Sequence, residues 1–181
     1  MLRLASSSIT RAMLLKNAGV AFIQESVDFD EDAIIASSPK NFVYQATLGK
    51  YEANLKTFGY EDYPLLVADT VVTSQGQILR KAKCVDDARN ILMTQSGNIT
   101  SIITCLIYQS KEKKLIDISQ TDYIFDDFDQ DDLENYLNSG EWRGKAGACM
   151  VEGFCKSYIK EVRGYESTAM GLSVEVLEAF M

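Results

Sequence analysis

The sequence contains no histidine. That absence excludes the Ser-His-Asp and Cys-His catalytic arrangements and every histidine metal ligand. A metal on this chain would have to sit on carboxylates and water, the ligand set of hard ions such as Mg²⁺ or Mn²⁺. Proline is scarce, two residues in 181, and no low-complexity tract appears, which argues against a disordered segment or long linker. No apolar run approaches the roughly 20 residues of a membrane span. The opening "MLRLASSS" lacks the apolar stretch of a secretory leader. The expectation is a cytoplasmic protein with no membrane partner. Basic residues are outnumbered, 18 Lys and Arg against 26 Asp and Glu, for a net charge of −8. That balance disfavours a nucleic-acid partner, which needs clustered cations, but leaves room for a small phosphorylated ligand. The four cysteines, Cys84, Cys105, Cys149 and Cys155, show no CxxC spacing. They are expected as reduced, mostly buried thiols rather than disulfides or a zinc site.

The length suits one domain, or two lobes sharing a core. Along the chain, "LRLAS" reads as a first strand and "SITRAMLLKNAGV" as a helix that Ser8 could cap and Gly19 could end. "AFIQESV" is a second strand. "PKNFVYQATLGKYEANLKTF" is a long helix with Pro39 in its first turn and a stripe of Phe42, Ala46, Gly49 and Ala53. "YPLLVADTVV" is a buried strand, "SQGQ" a hairpin-like turn, and "VDDARNILMTQSG" a short helix ending near Gly97. "ITSIITCLIYQ" and "KLIDISQTDYIF" are strands joined at "SKEKK". "DQDDLENYLNSG" is an acidic helix capped by Asp129 or Asp131 and closed by Gly140; "AGACMVEG" and "SYIKEVRG" are read as strands, and "LSVEVLEAF" as a final helix. Interleaved helices and strands with hairpins in the second half imply an α/β fold with a mixed sheet.

Some residues are costly to place. Asp69 stands in "LLVADTVV", where a carboxylate is expensive unless paired, metal-bound or at an open strand end; capping a neighbouring element is the plainer alternative. Lys50 lies beside the helix stripe, aimed at the core edge or a cleft, although a snorkelling lysine would sit there too. Lys81 and Lys145 are cations at element ends whose interest depends on convergence with Asp69. "DFDEDA" supplies Asp28, Asp30, Glu31 and Asp32, either a solvated acidic loop or carboxylates that join Asp69 on a divalent ion; it lacks the EF-hand pattern. "LASSSITRAMLL" offers Ser6, Ser7, Ser8, Thr10 and Arg11 at one strand-to-helix junction. Helix N-terminal amides, hydroxyls and arginine together suit phosphate, although an ordinary capped helix needs no more than one of them.

Taken together these segments resemble the Maf family of nucleoside triphosphate pyrophosphatases. "LASSSITRAMLL" is similar to L-A-S-x-S-P-R-R-x-x-L-L, "DFDEDA" to the family's acidic segment with Glu31, and "ATLGKYEA" to L-A-x-x-K-A with Lys50. "VADTVVTSQGQILRKAK" resembles A-D-T-V-V-x-x-x-G-x-I-L-G-K-P, giving Asp69, Thr70 and Lys81. "SGNITSIIT", "KAGACMVEG" and "VRGYESTAMGLSVEVL" match three further motifs, in order. Departures are Thr10 for the first arginine of the opening pair, Ile9 for the preceding proline, Arg80 for a glycine, Thr100 for a histidine, and "GLS" for G-L-P.

The resemblance implies one Maf-like domain over residues 1–181, an elongated mixed β-sheet flanked by helices, two lobes around a central cleft, and a homodimer. It implies a nucleotide diphosphatase with a house-cleaning role that cuts between the α and β phosphates. Asp69 would orient or deprotonate water, Asp69 and Glu31 would hold Mg²⁺ or Mn²⁺, and Lys50, Lys81 and Arg11 would neutralise the triphosphate. Ser6, Ser8, Thr10, Thr70, Lys145 and Glu152 would contact substrate. Three positions that separate the branch acting on dTTP and UTP from the one acting on 7-methyl-GTP read Thr10, Thr70 and Glu152 here. Glu152 could accept from a guanine edge, so the reading leans to a purine or modified purine. The rival is a nucleotide-binding regulator of cell division with little or no catalysis.

Overall fold

Strand β1 (Leu2–Leu4) runs into helix α1 (Ile9–Asn17), and β2 (Phe22–Gln24) precedes the long α2 (Pro39–Phe58). Strands β3 (Leu65–Ser74) and β4 (Gln77–Ile78), helix α3 (Val85–Gln95), and strands β5 (Ile99–Gln109) and β6 (Lys114–Phe125) follow. The chain ends with α4 (Gln130–Ser139), β7 (Ile159–Arg163), α5 (Glu166–Ala169) and α6 (Val174–Phe180). This computed structural model describes residues 1–31 and 34–181; Asp32 of the acidic segment lies outside the described residues.

The sheet has seven strands in the order β2-β1-β3-β5-β6-β7, with β4 paired to β3. Parallel pairs join β1 to β2 and to β3, whereas β3–β4 and β6–β7 are antiparallel. The expected mixed α/β sheet flanked by helices is therefore present. Gln75 and Gly76 close the β3–β4 hairpin with φ of 50° and 74°, the two positive values a tight two-residue turn requires.

Local chemistry sets the helix ends. Ser8 caps α1 by accepting from the Arg11 amide at 3.3 Å. Ser38 caps α2 with Pro39 following it, where a missing N–H costs nothing. Asp129 caps α4, accepting from the Asp131 and Asp132 amides, and Gly140 closes it in the left-handed region.

One reading fails. "AGACMVEG" is not a strand but a succession of turns, and Ala146 contributes only a single antiparallel bridge, to Lys81. Gly147 and Ala148 have φ of 68° and 54°, which no extended strand adopts. The cysteines depart from expectation as well. Cys149 and Cys155 form a disulfide across this segment, leaving Cys105 buried and Cys84 exposed as free thiols.

The contacts divide into two compact units. The first comprises residues 1–70, 103–120 and 165–181, and the second 71–102 and 121–164. In the first, Leu4, Leu15, Leu66, Leu106, Leu172 and Leu177 build a core on one face of the sheet, while Leu65, Val67 and Ile107 pack with Tyr51 of α2 on the other. β3 is thus apolar on both faces there, which is why Asp69 is conspicuous. The second unit is held by aromatic rings. Phe128 packs edge-on against Phe154 at 5.1 Å, and Tyr136 stacks on Phe154 at 4.6 Å.

Candidate active site

The first unit gathers most of the singled-out residues. The loop between β1 and α1 is pinned from β2, because Gln24 Nε2 donates to the carbonyls of Ser6 at 2.7 Å and Ser8 at 3.2 Å. Ser6 is buried, and its hydroxyl oxygen accepts from the Ser8 amide at 3.2 Å and from Arg11 Nη1 at 3.0 Å. Ser7 is exposed, and Thr10 is half-buried in the first turn of α1.

Helix α2 delivers Lys50. One residue earlier, Gly49 lets the acidic loop lie against the helix: a Cβ there would stand 2.2 Å from Cζ of Phe29. One turn later, Asn54 is buried, accepts from the Val27 amide at 3.0 Å and donates to the Lys50 carbonyl at 2.8 Å. These two contacts fix the loop carrying Glu31. The Lys50 ammonium then lies 2.5 Å from Glu31 Oε1 and 2.9 Å from Asp69 Oδ1. Side-chain exposures of 23% for Lys50, 13% for Asp69 and 38% for Glu31 place the cluster at the edge of the interior. The cost of Asp69 in an apolar strand is therefore met by an ion pair, and Lys50 is not a snorkelling surface residue.

Arg11 completes the group. Nε donates to the Gly171 carbonyl at 2.8 Å and Nη2 to the Thr70 hydroxyl at 3.1 Å. Burial lowers its pKa, while the charges of Asp69 and Glu31 pull the other way. A cavity of about 300 Å³ opens among Ser6, Ser8, Arg11, Asp28, Glu31, Lys50 and Asn54; Asp69 does not line it and is tied to it through the ion pair with Lys50. The volume is at the lower end of small-molecule sites. Hydroxyls, two cations and two carboxylates around one cavity suit an anionic, phosphate-bearing ligand.

Lys81, Lys145 and Glu152 belong to the second unit. Lys81 pairs with Ala146, next to Lys145, so the structure brings these two lysine-bearing segments together. Glu152 is exposed, in the turn enclosed by the Cys149–Cys155 disulfide. A larger cavity of about 540 Å³ lies in this unit, lined by Arg80, Lys81, Lys83 and Asp87. Size alone would favour it. Lys81 and Lys83 are exposed, however, and Asp87 is engaged with the Lys83 amide at 2.8 Å, whereas the first-unit cavity carries a built cluster.

Gln24, Asn54, Thr104, Thr168 and Gly171 do not stand out in the sequence as site residues. A polar side chain one helical turn from Lys50, and a threonine amid the apolar "SIITCLIY", were the available signals.

The profile of the family described as "Maf-like protein" matches residues 1–181. This chain belongs to the Maf-like family. A protein of Nitratiruptor sp. named nucleoside triphosphate pyrophosphatase is 58% identical over 179 residues, covering 98% of this chain and 96% of its own. Proteins of the same name from Campylobacter jejuni (serotype O:23/36) and Helicobacter pylori (strain J99) are each 38% identical. Those alignments cover 100% of both chains for the first, and 96% of this chain and 91% of the relative for the second. The Maf-like match spans both units, so it includes the second-unit motif residues as well as the first-unit cluster. No helix among the described residues is long and apolar enough to cross a membrane.

Proposed function

We propose that this chain hydrolyses a nucleoside triphosphate at the bond between the α and β phosphates, giving a nucleoside monophosphate and pyrophosphate. The observation that carries the reading is the Lys50 ammonium held between Glu31 and Asp69 beside a cavity lined by Ser6, Ser8 and Arg11. Water supplies the attacking oxygen, and its proton passes to Asp69 or to solvent as pyrophosphate leaves. Arg11 and Lys50 offset the triphosphate charge, and Ser6 and Ser8 donate to its oxygens. Such chemistry rests on positioning and electrostatics and needs no histidine.

The donor chemistry fits a divalent ion. Two carboxylates already converge on one cation, and Mg²⁺ is usually held by one or two carboxylates together with substrate phosphates and water. Asp69 and Glu31 would hold the ion, which when bound would offset phosphate charge and lower the pKa of coordinated water. For Lys81, Lys145 and Glu152 the motif matches alone support substrate contact, with Glu152 favouring a purine edge; for Thr10, which departs from the motif, its position beside Arg11 is the support. The one-domain reading of residues 1–181 is supported by strands β3, β5 and β6, each of which contributes residues to both units. Product identity tests the proposal: equal amounts of monophosphate and pyrophosphate support it, and diphosphate plus orthophosphate refutes it.

A further inference from the structure

Arg11 is fastened on three sides, and these bonds, together with the Thr168 carbonyl, fix the sense of the Ser6, Thr70 and Thr104 hydroxyls. A guanidinium can only donate, a carbonyl can only accept, and a hydroxyl has one proton and two acceptor sites. Thr70 Oγ1 accepts from Arg11 and lies 2.9 Å from Thr104 Oγ1. Thr104 Oγ1 donates its proton to the Thr168 carbonyl at 2.7 Å, so it cannot also donate to Thr70. Thr70 must therefore donate to Thr104. The chain runs one way, from Arg11 through Thr70 and Thr104 to Thr168, and its last two members are fully buried. Ser6 is the converse. Its oxygen already accepts from Arg11 and from the Ser8 amide, which leaves its proton as its remaining capacity.

We propose that Arg11 is a positioning residue as well as a counter-charge: it fixes Ser6 as a donor and Thr70 as an acceptor, and through Thr104 it anchors the segment Thr168–Gly171. The inference rests on the reading of Ser6 and Thr70 as substrate contacts. Ser6 then presents an O–H, which suits a phosphate oxygen. Thr70 offers only one free lone pair, which suits an N–H on the base and not a bare ring nitrogen. Three of the five guanidinium N–H groups hold protein atoms, so two remain for phosphate. The backbone at Gly171 is shaped to this arrangement. Its φ is +103°, and a Cβ there would come within 3.3 Å of Thr70 Oγ1 and 3.4 Å of Arg11 Nε.

The variants R11K, T104V and T104S of the full chain test this by two readouts. The first is hydrogen exchange of the peptide spanning residues 165–174, which includes the Gly171 amide bonded to the Thr168 carbonyl. T104V and R11K should exchange at least about tenfold faster there, with T104S close to wild type. A guanidinium acting only as a positive charge predicts no change in R11K. The second is kcat/KM for GTP against ATP, which differ in carrying N1–H or a bare N1. T104V frees the Thr70 proton to donate, so the GTP preference should fall at least about fivefold, and T104S should restore it. Exchange unchanged in both T104V and R11K overturns the inference, as does an equal loss on both nucleotides in T104V. If T104V does not fold, R11K against wild type decides by exchange. Absence of pyrophosphate release by the wild-type protein would refute the proposed activity instead, and the exchange readout would still decide whether the relay exists.

Discussion

Replacing Lys50 by methionine keeps the stem and removes the charge that two carboxylates share. The Lys50–Asp69 contact at 2.9 Å has a gross Coulomb attraction of about 6 kcal/mol at an effective dielectric constant near 20. Desolvation of both groups cancels much of it. Breaking a fully buried pair costs about 3–5 kcal/mol. Here Lys50 is 23% exposed and Glu31 38%, so water can take up part of the abandoned charge, and a loss of about 2–3 kcal/mol is expected. For a chain of this length that lowers the melting temperature by roughly 5–10 °C. The double variant K50M/D69N removes the more buried of the two stranded charges and should recover at least about 1 kcal/mol, a sign opposite to simple additivity. Thermal and urea unfolding of wild type, K50M, D69N and the double variant form the assay. K50M melting within about 1 °C of wild type, or a double variant less stable than K50M, would show that the cluster does not depend on the lysine as argued.

Three further outcomes follow from other parts of the molecule. Gly171→Ala should destabilise by about 1–3 kcal/mol, because φ is +103° and the new methyl presses on Thr70 and Arg11; a melting curve equal to wild type would contradict this. Burial pushes the Cys105 thiol up to about 11, so roughly one in a thousand is thiolate at pH 8. Native alkylation should therefore label the exposed Cys84 alone, with Cys149 and Cys155 added after reduction, and rapid labelling of Cys105 would argue against its burial. Arg89 holds the Glu134 carboxyl below its ordinary range by a side-chain hydrogen bond. The stability this gives is present above the unfolded carboxyl pKa near 4.3 and lost as pH falls through the lower folded value. Wild type should thus exceed R89Q in stability at pH 6 and converge with it as pH falls below the folded carboxyl value; a pH-independent gap would refute the linkage.

The sequence announces whatever local rules decide. α2 begins at Pro39 because Ser38 and Pro39 specify a start, and β5 and β6 have the limits read from the two segments flanking "SKEKK". Lys50 and Asp69 were legible because each is out of place, a cation beside an apolar stripe and a carboxylate in a buried strand. That Lys50 lies between Asp69 and Glu31 was not legible, since the placement depends on Phe29 resting against Gly49 and on Asn54 holding Val27. The strand reading failed at "AGACMVEG", where positive φ at Gly147 and Ala148 turns the chain. Absent CxxC spacing likewise said nothing against a bond between Cys149 and Cys155, which turns bring together across six positions. The Thr70–Thr104–Thr168 relay joins three segments distant in sequence, and no local pattern encodes such a meeting.

The central claim is that Asp69 acts on water at the α–β phosphate bond. The most direct measurement is pyrophosphate release from a panel of nucleoside triphosphates with Mg²⁺, by wild type and D69N side by side. The side-chain amide in D69N keeps an oxygen for Lys50 but cannot take a proton, so kcat should fall by about 10²–10⁴-fold while melting stays close to wild type. Full activity in folded D69N, or no pyrophosphate from wild type on any nucleotide, would contradict the account.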